Sequence, residues 1–461
     1  MNGAGDRGRG GGTPVGRLLS VRPGEWGGLL LSGVFFFLLL FGYFLLRPVR
    51  EAMGVQRSMT DLRWLFVVTC VVSLAVTLAF GDVVRRMDRR RFIAVAYRAV
   101  IACLLVFIAL RVGFGDEVKR WAGYAFYVWL SVVNLFMVSV FWAFMADVWR
   151  LDQGKRLYAA IGVGGTLGAL AGSSFAWQMA EAVGAPVQMA LAAVLFEGAV
   201  WVMRALDRRS TRRAREGLIG HERHALGGSW WEGAGELARS PYLLGVGAYI
   251  VLIAVSSTLL YFTQAHVVVD AADELRERIS LFGQLDVWTQ VATLLVQLFV
   301  TGHLMRRAGV GVTLGVLPVV TVVGFGVLAL VAGRADAPAW QTFAVFAAFN
   351  AAHRATRYAV ARPARETLFN VVPESEKYKA KPIVDVFLFR GGDVAGIGVE
   401  KALAGAGLAL GGMALAAAPV GVLWIVLSLW LAGRQRAQAS ERHPSPFMEP
   451  EPGSAPEGAT T

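Results

Sequence analysis

Two short basic strings lie at the ends of apolar runs, where charged side chains are costly to place. They read Arg47-Pro48-Val49-Arg50-Glu51 and Arg362-Pro363-Ala364-Arg365-Glu366. Arginine offers a rigid, planar fork of donors that matches the oxygen atoms of carboxylate and phosphate. The strings therefore favour a site for an anion. The alternative is that Arg47 and Arg50 only extend their guanidinium groups to a membrane–water interface.

The second string ends a run that also carries cations inside it. At 100° per residue, Arg354 and Arg365 are predicted to lie about 20° apart in helical projection, with Arg357 and Arg362 beside them. Cations within a membrane span normally face a water-filled cavity or an ion-pair partner. The pattern predicts one basic face, which Arg98 in an earlier run can join.

Acidic residues inside apolar runs are fewer, and each has more than one interpretation. The candidates are Asp147, Glu197, Asp286 and Glu400. Each can be a proton relay, a partner for one of the arginines above, or half of an internal salt bridge. Arg390 and Asp393, near Asp385, can form an internal ion pair instead of facing a cavity.

The stretch 162–168 formally matches the dinucleotide-binding pattern G-x-G-x-x-G. That pattern needs a preceding strand, and none is predicted here. Gly164, Gly168 and Gly172 instead follow a four-residue spacing, which is typical of closely packed membrane helices. No phosphate-loop lysine, nucleophile elbow, HExxH or CxxC pattern occurs, so the sequence indicates no enzyme and no cofactor.

The elements that position these residues follow from composition. Of 461 residues, 56% are hydrophobic and 17% charged, and the mean hydropathy is +0.53. Soluble domains carry about 25% charged residues, so the composition excludes a soluble enzyme and favours a membrane protein. The two cysteines, Cys70 and Cys103, both lie inside apolar runs, which argues against a disulfide framework or a metal site.

Twelve apolar runs of spanning length are predicted, six on each side of a polar, arginine-rich stretch. They lie at about 25–46, 62–81, 92–110, 121–148, 157–180, 185–205, 242–265, 281–303, 311–332, 339–361, 382–404 and 412–432. The predicted organisation is a disordered tail at 1–22, a six-helix bundle at 23–205, a linker at 206–240, a second bundle at 241–433 and a disordered tail at 434–461. The fold class is thus an all-α membrane protein.

Charge distribution predicts the orientation. The net charge is +12, and far more Lys and Arg fall on one side of the predicted spans than on the other when the N-terminus is placed inside. Both termini and the linker are therefore expected to be cytoplasmic. The basic excess is explained by the membrane, and no nucleic-acid partner is expected.

The two halves repeat a turn motif, G-x-x-x-R-R. It contains Gly81, Arg85 and Arg86 after the second run, and Gly302, Arg306 and Arg307 after the eighth. Two six-helix halves with basic turns at equivalent places resemble the major facilitator superfamily, in which the halves rock around a central site. The motif is predicted to be structural.

Three longer patches resemble a more specific family, the ATP:ADP antiporters, which are nucleotide transporters of plastids and intracellular bacteria. The stretches 141–144 and 153–158 with the glycine ridge resemble the turn between the family's fourth and fifth helices. The stretches 362–366, 376–381 and 383–385 resemble its segment between the tenth and eleventh helices, and 47–51 resembles the end of its first helix.

The resemblance implies exchange of ATP for ADP, with cavity lysines and arginines against the phosphates. Carried over, Arg50, Lys155, Arg365 and Lys381 become phosphate ligands. The sequence departs from the family where Arg50 and Arg365 replace the usual Lys, and where Arg362 stands at a commonly acidic position. The predicted substrate-binding set is Arg47, Arg50, Lys155, Arg354, Arg357, Arg362, Arg365 and Lys381.

The sequence thus predicts a secondary transporter of an anion, with nucleotide exchange preferred, in the inner membrane of a bacterium. A monomer in the lipid bilayer is expected, with a small anion, ATP or ADP, as partner. One alternative is transport of another organic or phosphorylated anion, with proton coupling through Asp286 or Glu197. The other is a membrane scaffold or sensor without transport, which would use the linker and tails to bind partners.

Overall fold

The structure is a computed structural model of the full chain. It describes residues 21–22, 24–86, 89–215, 235, 237–334, 338–373, 376, 380–381, 383–406 and 418–442. Within these ranges, the side chains at 78–86, 89–92, 151–152, 155, 212–215, 305–306, 418–419 and 439–442 are outside the description. The described residues form helices and connecting turns, and no strand occurs among them. The predicted all-α fold is therefore confirmed.

The N-terminal half contains six long helices. They are α1 (Trp26–Gly54), α2 (Met59–Arg86), α3 (Arg89–Gly113), α4 (Asp116–Val148), α5 (Leu151–Met179) and α6 (Ala185–Arg215). Helices satisfy every backbone hydrogen bond within their own segment, which lipid demands of a spanning chain. The predicted linker begins at 206, but α6 continues as a helix to Arg215, because its arginine-rich end can remain helical in water.

The C-terminal half begins at α7 (Pro241–Ala271), where the Ser240 hydroxyl caps the helix by accepting the Leu243 amide. Its other helices are α8 (Leu275–Leu295), α9 (Gly302–Ala332), α10 (Ala339–Ala355), α11 (Phe389–Gly405) and α12 (Ala418–Arg442). A π turn at Val296–Thr301 joins α8 to α9, and Gly309, with φ of 72°, breaks α9 near its start. Glycine tolerates that left-handed backbone without strain.

Further π turns flank α10 and α11. The first, Thr356–Ala361, leads from α10 into a short extension at Arg362–Leu368, and the second, Ile383–Leu388, precedes α11. Nine helical stretches in the described part of the chain, from α1 to α9, are long and apolar enough to cross a membrane. The predicted tenth and eleventh runs are interrupted by the π turns, and the predicted twelfth begins in 407–417, outside the described residues.

The glycine ridge of α5 packs directly on α1. A Cβ atom at Gly164, Gly168 or Gly172 would meet the carbonyl oxygen of Gly33, Phe37 or Phe41, respectively. Each glycine therefore faces backbone of α1, and the packing interpretation of the ridge is confirmed. Close helix approach of this kind stabilises membrane helix pairs through van der Waals contact.

Replacing Gly168 with Val should separate α1 from α5 and destabilise the fold by about 1–3 kcal/mol, the usual cost of overpacking. Thermal unfolding of the detergent-solubilised protein measures this change. Gly162→Ala in the same helix is the matched control, because a Cβ there meets no atom within 4 Å. Equal melting temperatures for the two variants would contradict the packing role of Gly168.

Two ends of the bundle can be told apart by their contacts. Arg278 donates to the Val55 carbonyl at 2.9 Å, and Arg276 donates to the Glu181 carbonyl at 2.9 Å. The turns after α1, α5 and α7 therefore lie together, and we call this face the loop end. The opposite face, where α1, α5 and α7 begin, is called the terminal end.

Candidate anion-binding site

A buried carboxylate joins the two halves. Asp286 of α8 receives Arg47 of α1, whose Nη1 lies 2.9 Å from Oδ1. Arg354 of α10 approaches the same oxygen with its Nη1 at 3.7 Å. The Asp286 side chain is only 2% exposed. Two of the predicted site arginines, one from each half, thus meet at a single acid. The sequence alone did not decide whether this acid is a proton relay or an ion-pair partner.

A second carboxylate, Glu51, lies beside the first. It pairs with the adjacent Arg50, and the Nε of Arg47 lies 3.8 Å from its Oε1. Tyr261 of α7 donates its hydroxyl to Glu51 Oε2 at 2.5 Å. The N-terminal half therefore supplies an arginine to a C-terminal acid, and the C-terminal half supplies a tyrosine to an N-terminal acid.

Uncharged groups of α4 hold Arg50 in position, and one of them contacts α7. Its Nη1 donates to Ser131 Oγ at 3.0 Å, and its guanidinium carbon lies 5.1 Å from the centre of the Tyr127 ring. The hydroxyl groups of Tyr127 and Tyr261 are hydrogen-bonded to each other at 2.7 Å. Cation–π contact and hydrogen bonding together orient the guanidinium in a partly buried position.

Neutral polar residues surround Arg354. Its Nη2 donates to Gln264 Oε1 at 2.7 Å, and nearby Asn350 donates to Thr289 Oγ1 at 3.5 Å. His353 is 1% exposed, and its two ring nitrogens find no partner in the described part of the chain. Arg354 is thus held by one carboxylate and one amide, so its charge is only partly neutralised.

Arg357 differs from the other buried cations. Its guanidinium carbon lies 5.3 Å from the ring centres of both Tyr358 and Phe389. No carboxylate among the described residues lies within ion-pair distance of it. A guanidinium stacked on two aromatic rings keeps its donors available, so Arg357 is the cation best placed to receive an added anion.

Arg365 does not share a site with Arg354, contrary to the helical projection. Arg365 Nη2 lies 3.2 Å from Asp385 and 2.9 Å from Glu366, and Lys381 also pairs with Glu366. Eleven residues of helix place Arg354 and Arg365 about 16 Å apart along the axis. The intervening π turn also changes the angular phase, which the projection at 100° per residue could not include.

The Arg365 cluster lies at the terminal end, where the α10 extension also contacts α7 and α12. Tyr242 donates to the Leu368 carbonyl at 2.9 Å, and Gln435 to the Thr367 carbonyl at 2.9 Å. Burial raises the pKa of Glu366, but the hydrogen bonds from Lys381 and Arg365 outweigh it and leave that pKa below its usual value. The cluster is therefore a charged clamp between the end of α10 and the start of α11.

The remaining predicted site and motif residues make no contact that assigns them a role. Arg362, Gly302 and Arg307 are exposed. The side chains of Lys155, Arg85, Arg86 and Arg306, and the burial of Gly81, are outside the description. The predicted roles of these residues stay predictions.

Another ion pair crosses between the halves at the loop end. Arg63 of α2 forms two hydrogen bonds with Glu400 of α11, at 2.6 and 2.8 Å. His266 of α7 lies 3.6 Å from the same carboxylate. Together with the backbone contacts of Arg276 and Arg278, this pair fastens the two halves to each other at the loop end.

Two other pairs of charges singled out in the sequence each lie within one half. Arg98 pairs with Glu197 at 2.7 Å, and Trp201 also donates to that carboxylate at 3.0 Å. Arg390 pairs with Asp393 at 3.2 Å, in agreement with the ion-pair interpretation. Arg98 therefore lies outside the basic face that it was expected to join.

Metal and disulfide chemistry have no site in the described residues. No group of three or more His, Cys, Asp or Glu side chains is placed there to hold a metal ion. The thiols of Cys70 and Cys103 are both free.

Several neutral residues of the site are absent from the sequence predictions, and four of them contact the arginines or Glu51 through polar groups or lie beside those contacts. They are Tyr127, Ser131, Tyr261 and Gln264. Neutral polar residues are common within spans, and their spacing carries no signal that separates a site residue from a packing residue. In the sequence, Glu51 is noted only as the acidic residue that ends the first basic string.

Long apolar helices in two bundles, joined by buried arginine–carboxylate pairs, define the class of protein, a multi-pass membrane protein. Solved transporter structures agree with this fold. A bacterial homologue of the iron transporter ferroportin, in an inward-facing state, has a TM-score of 0.62 and 12% identity, and covers 88% of this chain and 98% of that one. A mutant of the nucleoside transporter NupG has a TM-score of 0.59 and 11% identity, with 89% and 99% covered. These likenesses show that the chain shares the fold of these solved transporters.

The chain belongs to the TLC ATP/ADP transporter family, whose pattern it matches over residues 112–437. The family resemblance found in the sequence is therefore confirmed, and it places the chain among transporters rather than enzymes.

Two chlamydial relatives are both named ADP,ATP carrier protein 1. The one from Chlamydia muridarum is 24% identical over 318 residues, which are 63% of this chain and 60% of that protein. The one from Chlamydia pneumoniae is 24% identical over 345 residues, which are 68% of this chain and 66% of that protein. The chain thus spans less than two thirds of the length of either relative.

Proposed function

We propose that this transporter exchanges nucleotides, ATP against ADP, by alternating access. The observation that carries the proposal is the charge imbalance of the site. Arg47, Arg50 and Arg354 share only two carboxylates, Glu51 and Asp286, and Arg357 adds a fourth cation without an acidic partner among the described residues. A site with surplus positive charge, shielded from water, favours a multiply charged anion.

The types of the cations support phosphate groups as the ligands. Guanidinium forms bidentate hydrogen bonds with phosphate oxygens, and such bonds are stronger than those between neutral groups. Both relatives carry the name ADP,ATP carrier protein, which adds support for a nucleotide. The neutral polar residues around Arg354 would then contact the uncharged parts of the substrate.

Alternating access requires the contacts at the loop end to open. In this structure, the pair of Arg63 with Glu400 and the pair of Arg47 with Asp286 both cross between the halves. We propose that the loop end faces outward and the terminal end faces the cytoplasm of a bacterium, in accord with the basic excess of the inner segments. A monomer contains both halves and is the proposed working unit.

Uptake of labelled ATP by purified protein in liposomes tests the proposal. Liposomes preloaded with ADP should accumulate label, and liposomes without internal nucleotide should not. Protein-free liposomes with ADP are the control for leakage. Uptake driven by a pH gradient, with no dependence on internal nucleotide, would favour a proton-coupled carrier of another anion. No uptake in any arm would overturn nucleotide transport.

A further inference from the structure

We infer that Asp286 is an internal competitor of the substrate, and that this competition makes transport an obligatory exchange. The inference rests on the proposed function, because it assigns Arg47 and Arg354 to the substrate. It concerns a residue that holds the empty carrier in one state, and it adds no ligand to the substrate itself.

The contacts of Asp286 are those of a carboxylate that another anion can replace. Both guanidinium groups approach the same oxygen, at 2.9 and 3.7 Å. That oxygen nevertheless accepts no hydrogen bond of good geometry in the described part of the chain. Charge attraction without aligned hydrogen bonds is weaker than the bidentate geometry that a phosphate group can adopt with arginine.

The same contacts tie Asp286 to the closed loop end. Arg47 belongs to α1 and Asp286 to α8, so their ion pair holds the N-terminal half against the C-terminal half. A phosphate group that binds Arg47 and Arg354 must take them from Asp286, because a guanidinium cannot serve both anions fully. Substrate binding therefore breaks the ion pair between Arg47 and Asp286 that joins the two halves.

An exchanger follows from this competition. After releasing its substrate, the empty carrier re-forms the pair of Arg47 with Asp286 and stays closed at the loop end. A new substrate molecule breaks the pair and allows the carrier to reopen there. Net uptake would need the empty carrier to reopen, and Asp286 prevents that step.

The Arg63–Glu400 pair cannot supply the same coupling. It also crosses the halves, but neither residue contacts Arg47, Arg50, Arg354 or Arg357 in the described contacts. An anion bound by those four arginines would leave Arg63 and Glu400 paired. That pair favours the closed loop end equally in loaded and empty carriers, whereas Asp286 favours it only in the empty carrier.

Asp286→Asn in liposomes tests the inference. The ratio of ATP uptake into empty liposomes to uptake into ADP-loaded liposomes should rise at least about tenfold over the wild type. Asp286→Glu, which keeps the charge, should remain close to the wild-type ratio. Glu197→Gln removes an acid from a pair outside the cross-half contacts and should also leave the ratio unchanged. An unchanged ratio in folded Asp286→Asn protein would overturn the inference.

A second measurement needs no nucleotide, so it separates this inference from the proposed function. Thr263 lines a small space near the loop end together with His266 and Glu400. In a variant without Cys70 and Cys103, a cysteine placed by Thr263→Cys should react several-fold faster with a membrane-impermeant maleimide when Asp286→Asn is present. An equal labelling rate would show that Asp286 does not hold the loop end closed, even if the wild type transports ATP.

Discussion

Replacing Arg50 with Gln is expected to raise the KM for ATP by about 10- to 100-fold. A hydrogen bond to a charged group contributes about 1.5–3 kcal/mol, and about 1.4 kcal/mol corresponds to a tenfold change. The same replacement leaves Glu51, which is 2% exposed, without its nearest cation. Removing one partner of a buried ion pair costs about 3–5 kcal/mol, of which Tyr261 and Arg47 recover a part. Initial rates of exchange and the melting temperature measure the two effects.

The double variant Arg50→Gln/Glu51→Gln separates substrate binding from folding. Without a carboxylate at residue 51, no buried charge is left unpaired, so the melting temperature should recover while the KM stays high. Arg50→Lys restores the residue usual in the family at this position and should retain most of the exchange activity. A wild-type KM in the double variant would mean that Arg50 serves only to neutralise Glu51.

The parts of the fold that the sequence predicted correctly depend on local patterns. Apolar runs of spanning length predict helices directly, because lipid leaves the backbone no other partner than itself. The four-residue spacing of Gly164, Gly168 and Gly172 predicted a packing ridge, because that spacing places the glycines on one face of a helix. Neither prediction needs knowledge of distant contacts.

The ends of the helices and the interruptions within them were harder to predict from the sequence. α12 runs to Arg442, although the predicted tail begins at 434, because basic residues at a membrane surface can continue a helix. The π turn at Thr356–Ala361 interrupts the regular α-helix, and no residue type in this segment predicts it. It separates Arg354 from Arg365, and the predicted single basic face therefore divides into a cross-half site and a clamp at the terminal end.

The site was predictable in its charges but not in its pairs. Arginines and acids within apolar runs are rare enough to be noticed one by one. Which of them meet depends on packing between helices far apart in the chain, as for Arg47 of α1 and Asp286 of α8. The sequence therefore identified Arg47 and Asp286 as candidate functional residues. The structure places them in one contact network with Glu51 and Tyr261.

Arg357→Ala is expected to raise the KM for ATP by about 10- to 100-fold while lowering the free energy of unfolding by only about 1–2 kcal/mol. Unlike Arg50, this arginine has no carboxylate partner in the described part of the chain, so its removal strands no buried acid. It loses two cation–π contacts, with Tyr358 and Phe389, worth about 0.5–1 kcal/mol each at moderate exposure. Exchange kinetics and thermal unfolding of the same preparation measure both quantities.

Arg362→Ala and Arg365→Ala complete the comparison. Arg362 is exposed, so its loss should leave the melting temperature nearly unchanged, and a raised KM would support its predicted role as a substrate ligand. Loss of Arg365 should lower the melting temperature, because Asp385 and Glu366 lose a partner in the clamp at the terminal end. If Arg365→Ala raised the KM as much as Arg357→Ala and left the stability unchanged, the phosphate site would lie at the terminal end, and the cross-half arginines would serve only to close the carrier.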